Sequence, residues 1–187
     1  MKAVLKNDIG GIVQSDHPVL RMEAAIVLPK DIPSPKIQKV IDRMKSALTT
    51  QEDGVAIAAP QIGESLAIFV VSKRIGLLKK DPSEITPEEK VKAVDTVYVN
   101  PVIIKTSKTK KEVEEGCLSV RYLYGKLKRA DKVTVTAYDE KGKKFTRGGS
   151  GLLAQIFQHE IDHLHGILFT DSAYDIQDLP PEKEDDK

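Results

Sequence analysis

Apolar residues at Ile37, Val40, Ile41, Met44 and Leu48 keep the spacing of one face of an α-helix. Ser34-Pro35 stands ahead of them as a cap followed by a first-turn proline, so a helix is predicted to open there. The same period returns late in the chain at Leu153, Phe157, Ile161 and Leu164, with Leu152 and Ile156 on the neighbouring stripe. Ser150 as N-cap and Gly166 as stop bound this second helix to about four turns. Between the two helices the pattern changes to that of strands. Residues 66–72 and 97–104 are short apolar runs, a further strand is predicted from Lys111, and Val133, Val135 and Ala137 alternate with Thr134, Thr136 and Tyr138. Asp139-Glu140-Lys141-Gly142 then reads as a hairpin turn into Phe145. This order predicts an α+β fold, with antiparallel β-sheets packed around the helix of the C-terminal half and another helix nearer the N-terminus.

The remaining segments lack either period. Residues 1–33 are broken by Asp16-His17-Pro18, Pro29 and Pro33, and His17 is read as a turn residue. Residues 73–96 are charged and hold Pro82 and Pro87; a short surface helix is predicted from Thr86-Pro87-Glu88-Glu89, and the segment is assigned no chemistry. Residues 1–171 are expected to form one catalytic domain, and residues 172–187 an acidic, disordered tail.

Composition narrows the function classes. A chain of 187 residues, 40% hydrophobic, is long enough to bury a core of its own. A net charge of +1 gives no electrostatic case for a nucleic-acid substrate. Residues 1–13 lack a sustained apolar stretch, and the run at 66–71 is too short to cross a bilayer, so neither a secretion signal nor a membrane span is expected. With one cysteine no internal disulfide can form, and a reducing cytoplasm is the expected compartment.

The chemistry concentrates at His159-Glu160-Ile161-Asp162-His163. Residues four apart on a helix share a face, so His159 and His163 can turn two imidazoles toward one metal ion. Glu160, one step round, can handle the proton of a water activated there, which is the logic of the H-E-x-x-H signature. A third ligand is needed. The pattern H-E-x-x-H-x-x-G-x-x-H is followed as far as Gly166, but its last position is Phe169. Downstream carboxylates at Asp171, Asp175, Asp178 and Glu182 lie in a polar, proline-interrupted segment poorly suited to hold a ligand rigidly. Upstream, Cys117 remains, beside Gly116, whose backbone freedom could aim a thiolate at the helix. Separately, residues 54–63 gather small side chains where another backbone could come close, and Gln61 follows a proline as a candidate fixed amide donor.

Three segments together resemble the peptide deformylase family, whose motifs are G-x-G-x-A-A-P-Q, E-G-C-L-S and Q-H-E-x-D-H-L-x-G. They stand here at residues 54–61, 115–119 and 158–166, in the same order and at matching spacing, within a similarity running from about Asp16 to Phe169. The resemblance implies removal of the formyl group from the N-terminal formyl-methionine of nascent polypeptides, with release of formate. It implies Cys117, His159 and His163 as metal ligands with one position left to water, and Glu160 as general base and then acid. Gln61, through its side chain, and Leu118, through its backbone N–H, would steady the oxyanion. Gly54, Val55 and Ala56 would lie beside a peptide bound as an added strand, Leu152 and Ile156 would line the methionine pocket, and Asp162 would pair with Arg129.

A thiolate suits Zn²⁺ and Fe²⁺ alike. The resemblance implies Fe²⁺ in the cell, with Zn²⁺, Ni²⁺ or Co²⁺ as alternatives after purification, one ion per chain. Its implied partners are N-formylmethionyl nascent peptides and a transient ribosome contact, made without the tail, which is acidic here. The chain departs from the family at Ala56, where a second glycine is usual and a methyl group is expected to meet the substrate backbone. It departs again at Arg121-Tyr122, where Pro-Gly is common. A zinc endopeptidase with a tail carboxylate as third ligand, an N-acyl amidohydrolase of altered substrate and a non-catalytic metal-stabilised domain are the alternatives. An open water position separates the enzymes from the last of these.

Overall fold

The computed structural model describes residues 11–77, 86 and 94–180. After two single 3₁₀ turns at Pro18–Arg21 and Pro29–Asp31 comes helix α1, Pro35–Thr49. Strand β1, Ala56–Ala58, runs into a 3₁₀ turn at Ala59–Ile62, and β2 covers Ile68–Val71. A one-turn helix α2, Arg74–Leu77, precedes β3, Thr96–Thr106. Then follow β4, Lys110–Gly116; β5, Leu123–Ala130; β6, Lys132–Tyr138; and β7, Lys144–Ser150. Helix α3, Leu152–Leu164, and β8, Tyr174–Asp178, complete the order.

The strands form two antiparallel sheets, one of five strands ordered β1-β2-β3-β6-β7 and one of three ordered β4-β5-β8. Alternation along β1, β2 and β3 divides their side chains between two cores. Ile57, Ile68, Val70, Val97 and Val99 face α1 with Ile37, Val40, Ile41, Met44 and Leu48, while Ala56, Ala58, Phe69, Val71 and Tyr98 face α3 with Ile156, Phe157 and Ile161. Both faces of the sheet are covered, which is why β2 reads as an unbroken apolar run rather than an alternating one. Phe69 and Tyr98 stack at 4.5 Å between centroids, and Phe157 meets the Tyr98 ring edge-on at 5.3 Å. Burying a ring such as Phe157 contributes about 1.5–3 kcal/mol, and here it seats α3 on the sheet.

The predicted α+β architecture is present: an N-terminal helix and antiparallel sheets around the helix that carries both histidines. Three boundaries moved. Ser150 pairs with Lys132 at the end of β7, so Gly151, at φ 55°, becomes the N-cap of α3. The strand expected at 66–72 is confined to Ile68–Val71, with Leu66 bridged to Ala25. The region after Asp171, expected to be disordered, contains β8, whose Leu123–Asp178 and Tyr124–Gln177 pairings tie it to β5. Every residue of β8 is exposed, so backbone pairing holds it and no hydrophobic pattern announces it. Residues 87–89 of the helix predicted from Thr86 and residues 181–187 of the tail fall outside the described residues.

Gly166, the predicted stop, has φ +71°, and a Cβ there would come within 2.7 Å of the Arg21 carbonyl carbon. Only glycine satisfies both demands. The close approach lets Ala24 N–H donate to Leu164 O at 2.8 Å, which docks the N-terminal segment on the end of the site helix.

Candidate metal centre and substrate cleft

Two elements bring the centre together. α3 presents His159 and His163 one turn apart, their rings 4.9 Å apart edge to face. β4 ends at Gly116 and turns, placing Cys117 opposite them, with Sγ 3.2 Å from His163 Nε2. One ligand atom from each of Cys117, His159 and His163 lies within 4.8 Å of the others. Of the downstream carboxylates, Asp171 pairs with Arg21 at 2.5 Å, Asp175 with Lys126 at 3.4 Å, and Asp178 lies in β8 opposite Leu123, while Glu182 falls outside the described residues.

The surroundings orient these groups. Glu115 Oε2 lies 2.8 Å from His159 Nδ1, which leaves Nε2 as the ring nitrogen free to bind an ion. The same carboxylate accepts from Arg129 Nε at 2.8 Å and Nη2 at 3.0 Å, and Arg129 Nη1 donates to Asp162 Oδ2 at 2.6 Å. The expected Asp162–Arg129 pair is thus in place, inside a larger chain of charges with Glu115 at its middle. Burial works against the Glu115 charge, but the His159 and Arg129 contacts overcome it and bring the pKa down to about 2. Burial likewise opposes protonation of both imidazoles. Cys117 and Glu115 nevertheless raise the pKa of His159 well above the usual histidine range, while burial and the neighbouring His159 charge push that of His163 well below it.

Gln61 is fixed from both ends. Its Oε1 accepts from Ala58 N–H at 2.8 Å, which turns the NH₂ toward Cys117 Sγ, 3.5 Å away, and Ser119 Oγ, 3.3 Å away. Ser119 is fully buried and its N–H donates to the same sulfur at 3.4 Å. Glu160 is 3% exposed, and its Oε2 has no hydrogen-bond partner. Burial, more than any neighbouring charge, raises its pKa to about 7, which suits a group that must both take and return a proton near neutrality.

The centre opens into a cleft lined by Gly54, Val55 and Ala56 on one wall, by Glu115, Cys117 and Leu118 on the other, and by Leu152 and Ile156 below. Gln61, His159 and Glu160 close its inner end. β1 and β4 are edge strands of the two sheets, so the walls are sheet edges facing one another. Ala56, where a methyl group is expected to meet the substrate backbone, packs with the cluster facing α3 and also lines the cleft.

The roles of Glu115 and Ser119 were missed. Both lie inside the cysteine motif, and an acidic residue two places before a candidate ligand was the one available signal. The donor set of two imidazoles and one thiolate, with an unpaired buried carboxylate beside it, fits a borderline-soft divalent ion.

An H-E-x-x-H helix facing a thiolate at the end of a two-edged cleft defines a metal-dependent hydrolase. Comparison with known proteins narrows the class. The family model for polypeptide deformylase matches residues 9–178. Peptide deformylase 2 of Clostridium acetobutylicum is 42% identical over 157 residues, covering 84% of this chain and 90% of its own. Peptide deformylase 1A, chloroplastic/mitochondrial, of Arabidopsis thaliana is 41% identical over 167 residues, covering 89% of this chain and 62% of its own. Among solved structures, the Met-Ala-Ser-bound class I type b peptide deformylase of Acinetobacter baumannii superposes with a TM-score of 0.72 at 31% identity, over 86% of this chain and 96% of that one. The chain belongs to the polypeptide deformylase family, and its activity is that of a peptide deformylase, a hydrolase. No helix among the described residues is long and apolar enough to cross a membrane.

Proposed function

We propose that the cleft binds the formylated N-terminus of a nascent polypeptide as an extended strand between β1 and β4, and that the inner end hydrolyses the formamide. The observation that carries this reading is the meeting of Cys117 with His159 and His163 beside the unpaired, buried Glu160 carboxylate. Cys117, His159 and His163 would hold one divalent ion, Fe²⁺ in the cell. Bound there, the ion would supply Lewis acidity, of the kind that lowers the pKa of water from about 15.7 toward roughly 7.

The protein's own groups do the rest. Glu160 takes the proton of the attacking water and later returns it to the departing amine. The Gln61 NH₂, already turned inward by its Ala58 contact, donates to the oxyanion together with the Leu118 N–H. Glu115 holds the His159 ring, and Arg129 holds Glu115. Gly54, Val55 and Ala56 pair with the peptide backbone, and Leu152 and Ile156 receive the methionine side chain. The cytoplasm is the proposed compartment. A transient ribosome contact, made without the acidic tail, would bring substrate to the cleft.

The test is anaerobic assay of the Fe²⁺-loaded protein on formyl-Met-Ala-Ser beside its acetylated and unblocked counterparts. Stoichiometric formate from the first peptide alone is expected. Equal turnover of the acetylated peptide would transfer the assignment to a broader N-acyl amidohydrolase.

A further inference from the structure

At the outer end of the cleft a guanidinium joins the two walls. Arg121 Nη1 donates to Asp53 Oδ2 at 2.5 Å, while Nη2 donates to Asp53 Oδ1 at 3.1 Å and to Gln51 Oε1 at 2.9 Å. Its carbon lies 5.7 Å from the centroid of the Tyr122 ring. The Arg121 side chain is only 13% exposed against 56% for Asp53, so the bridge is packed into the cleft wall from the arginine side. Both residues line the cleft that leads to the metal centre. A fork held on two acceptors is pre-organised, and five N–H groups exceed what Asp53 and Gln51 use. Nε–H has no protein partner among the described residues.

Position along the cleft decides what the bridge can touch. From Ala58, next to Gln61, the chain runs back through β1 and Gly54 to Asp53, in the turn that precedes the strand. At about 3.3 Å per residue, Asp53 lies at most roughly 10 Å beyond Ala56. A peptide whose methionine side chain sits against Leu152 and Ile156 therefore brings its second and third residues to the bridge, while its formyl group stays at the far end. On the deformylase reading of the cleft, we infer that Arg121, held by Asp53, is a positioning residue. Its spare N–H groups take main-chain carbonyls of the substrate beyond methionine, so losing Arg121 costs more on a longer peptide than on a shorter one.

The test is steady-state kinetics of the full-length, Fe²⁺-loaded protein on C-terminally amidated formyl-Met-Ala and formyl-Met-Ala-Ser. The readout is the ratio of kcat/KM for the longer peptide to that for the shorter. For Arg121→Ala the ratio is expected to fall about tenfold, the scale of one charge-assisted hydrogen bond, with the change in KM rather than kcat. Asp53→Asn, which loosens the fork without removing it, should lower the ratio about threefold by the same route and serves if Arg121→Ala does not fold. A ratio equal to wild type in both variants makes the bridge mere scaffold and overturns the proposal. A ratio that rises makes it a barrier, which overturns it equally. Wild-type turnover of formyl-Met-Ala is scored separately, so failure of the deformylase reading shows as no formate from either peptide.

Discussion

The two ends of the cleft are both built from ion pairs, yet they differ in depth. At the inner end Glu115 has a side chain 2% exposed and shares itself between His159 and Arg129; at the outer end Asp53 is 56% exposed and faces water beside Arg121. Water and salt screen the outer pair, so its removal is felt in how a peptide is held. Nothing screens the inner one. Removing one partner of a buried pair strands the other, a cost of about 3–5 kcal/mol where no second partner exists. Asp162 softens that cost here by keeping Arg129 paired. Depth, more than the chemistry of the pair, sets what each end can lose.

Substitutions can sharpen this contrast. Glu160→Gln keeps size and burial but removes the acid and base, so turnover on formyl-Met-Ala-Ser should fall about 10²- to 10⁴-fold. Metal content, measured on the same sample, should be unchanged. Loss of the ion instead would make Glu160 part of the binding set. Glu115→Gln should weaken metal affinity about 10- to 100-fold, measured by chelator competition, since the His159 ring loses its charged partner. An unchanged affinity would show that packing alone orients that ring.

The smallest effect belongs to a pair outside the cleft. Hydrogen bonding to Arg21 holds the Asp171 pKa below its usual 3.8, aided by the Leu168 N–H at 3.0 Å. A depressed carboxylate stabilises the fold above its unfolded pKa and loses that contribution as pH falls through the lower folded one. Asp171→Asn should therefore lower Tm slightly at neutral pH, and the gap should close below about pH 3.8. Both side chains are more than one third exposed, so about 0–1 kcal/mol is expected. A gap that persists at low pH would trace the effect to the Leu168 contact.

What the chain disclosed in advance follows from how local each feature is. α1 and β6 announced themselves because one apolar face repeats along each, and the paired histidines because their spacing is that of the helix they occupy. β5 was hidden by Lys126, Lys128 and Arg129, although Gly125, Leu127 and Ala130 are buried along it. β8 has no buried residue at all, so only its partner's backbone defines it. The same limit applied in the site. Cys117 was found as the one cysteine left to complete the ligand set and then through its motif, but Glu115's hold on His159 spans 44 residues and Arg121's hold on Asp53 spans 68, distances at which no periodicity speaks.

The sulfur at Cys117 is made 46 residues ahead of His163. During synthesis both sheet edges of the groove, the thiol and most of the five-stranded platform are therefore complete before either imidazole exists. A chain interrupted just short of α3 would own the strand edges and the thiol, but neither imidazole nor the Leu152 and Ile156 floor of the cleft. The centre cannot assemble until α3, which carries both imidazoles, has been made.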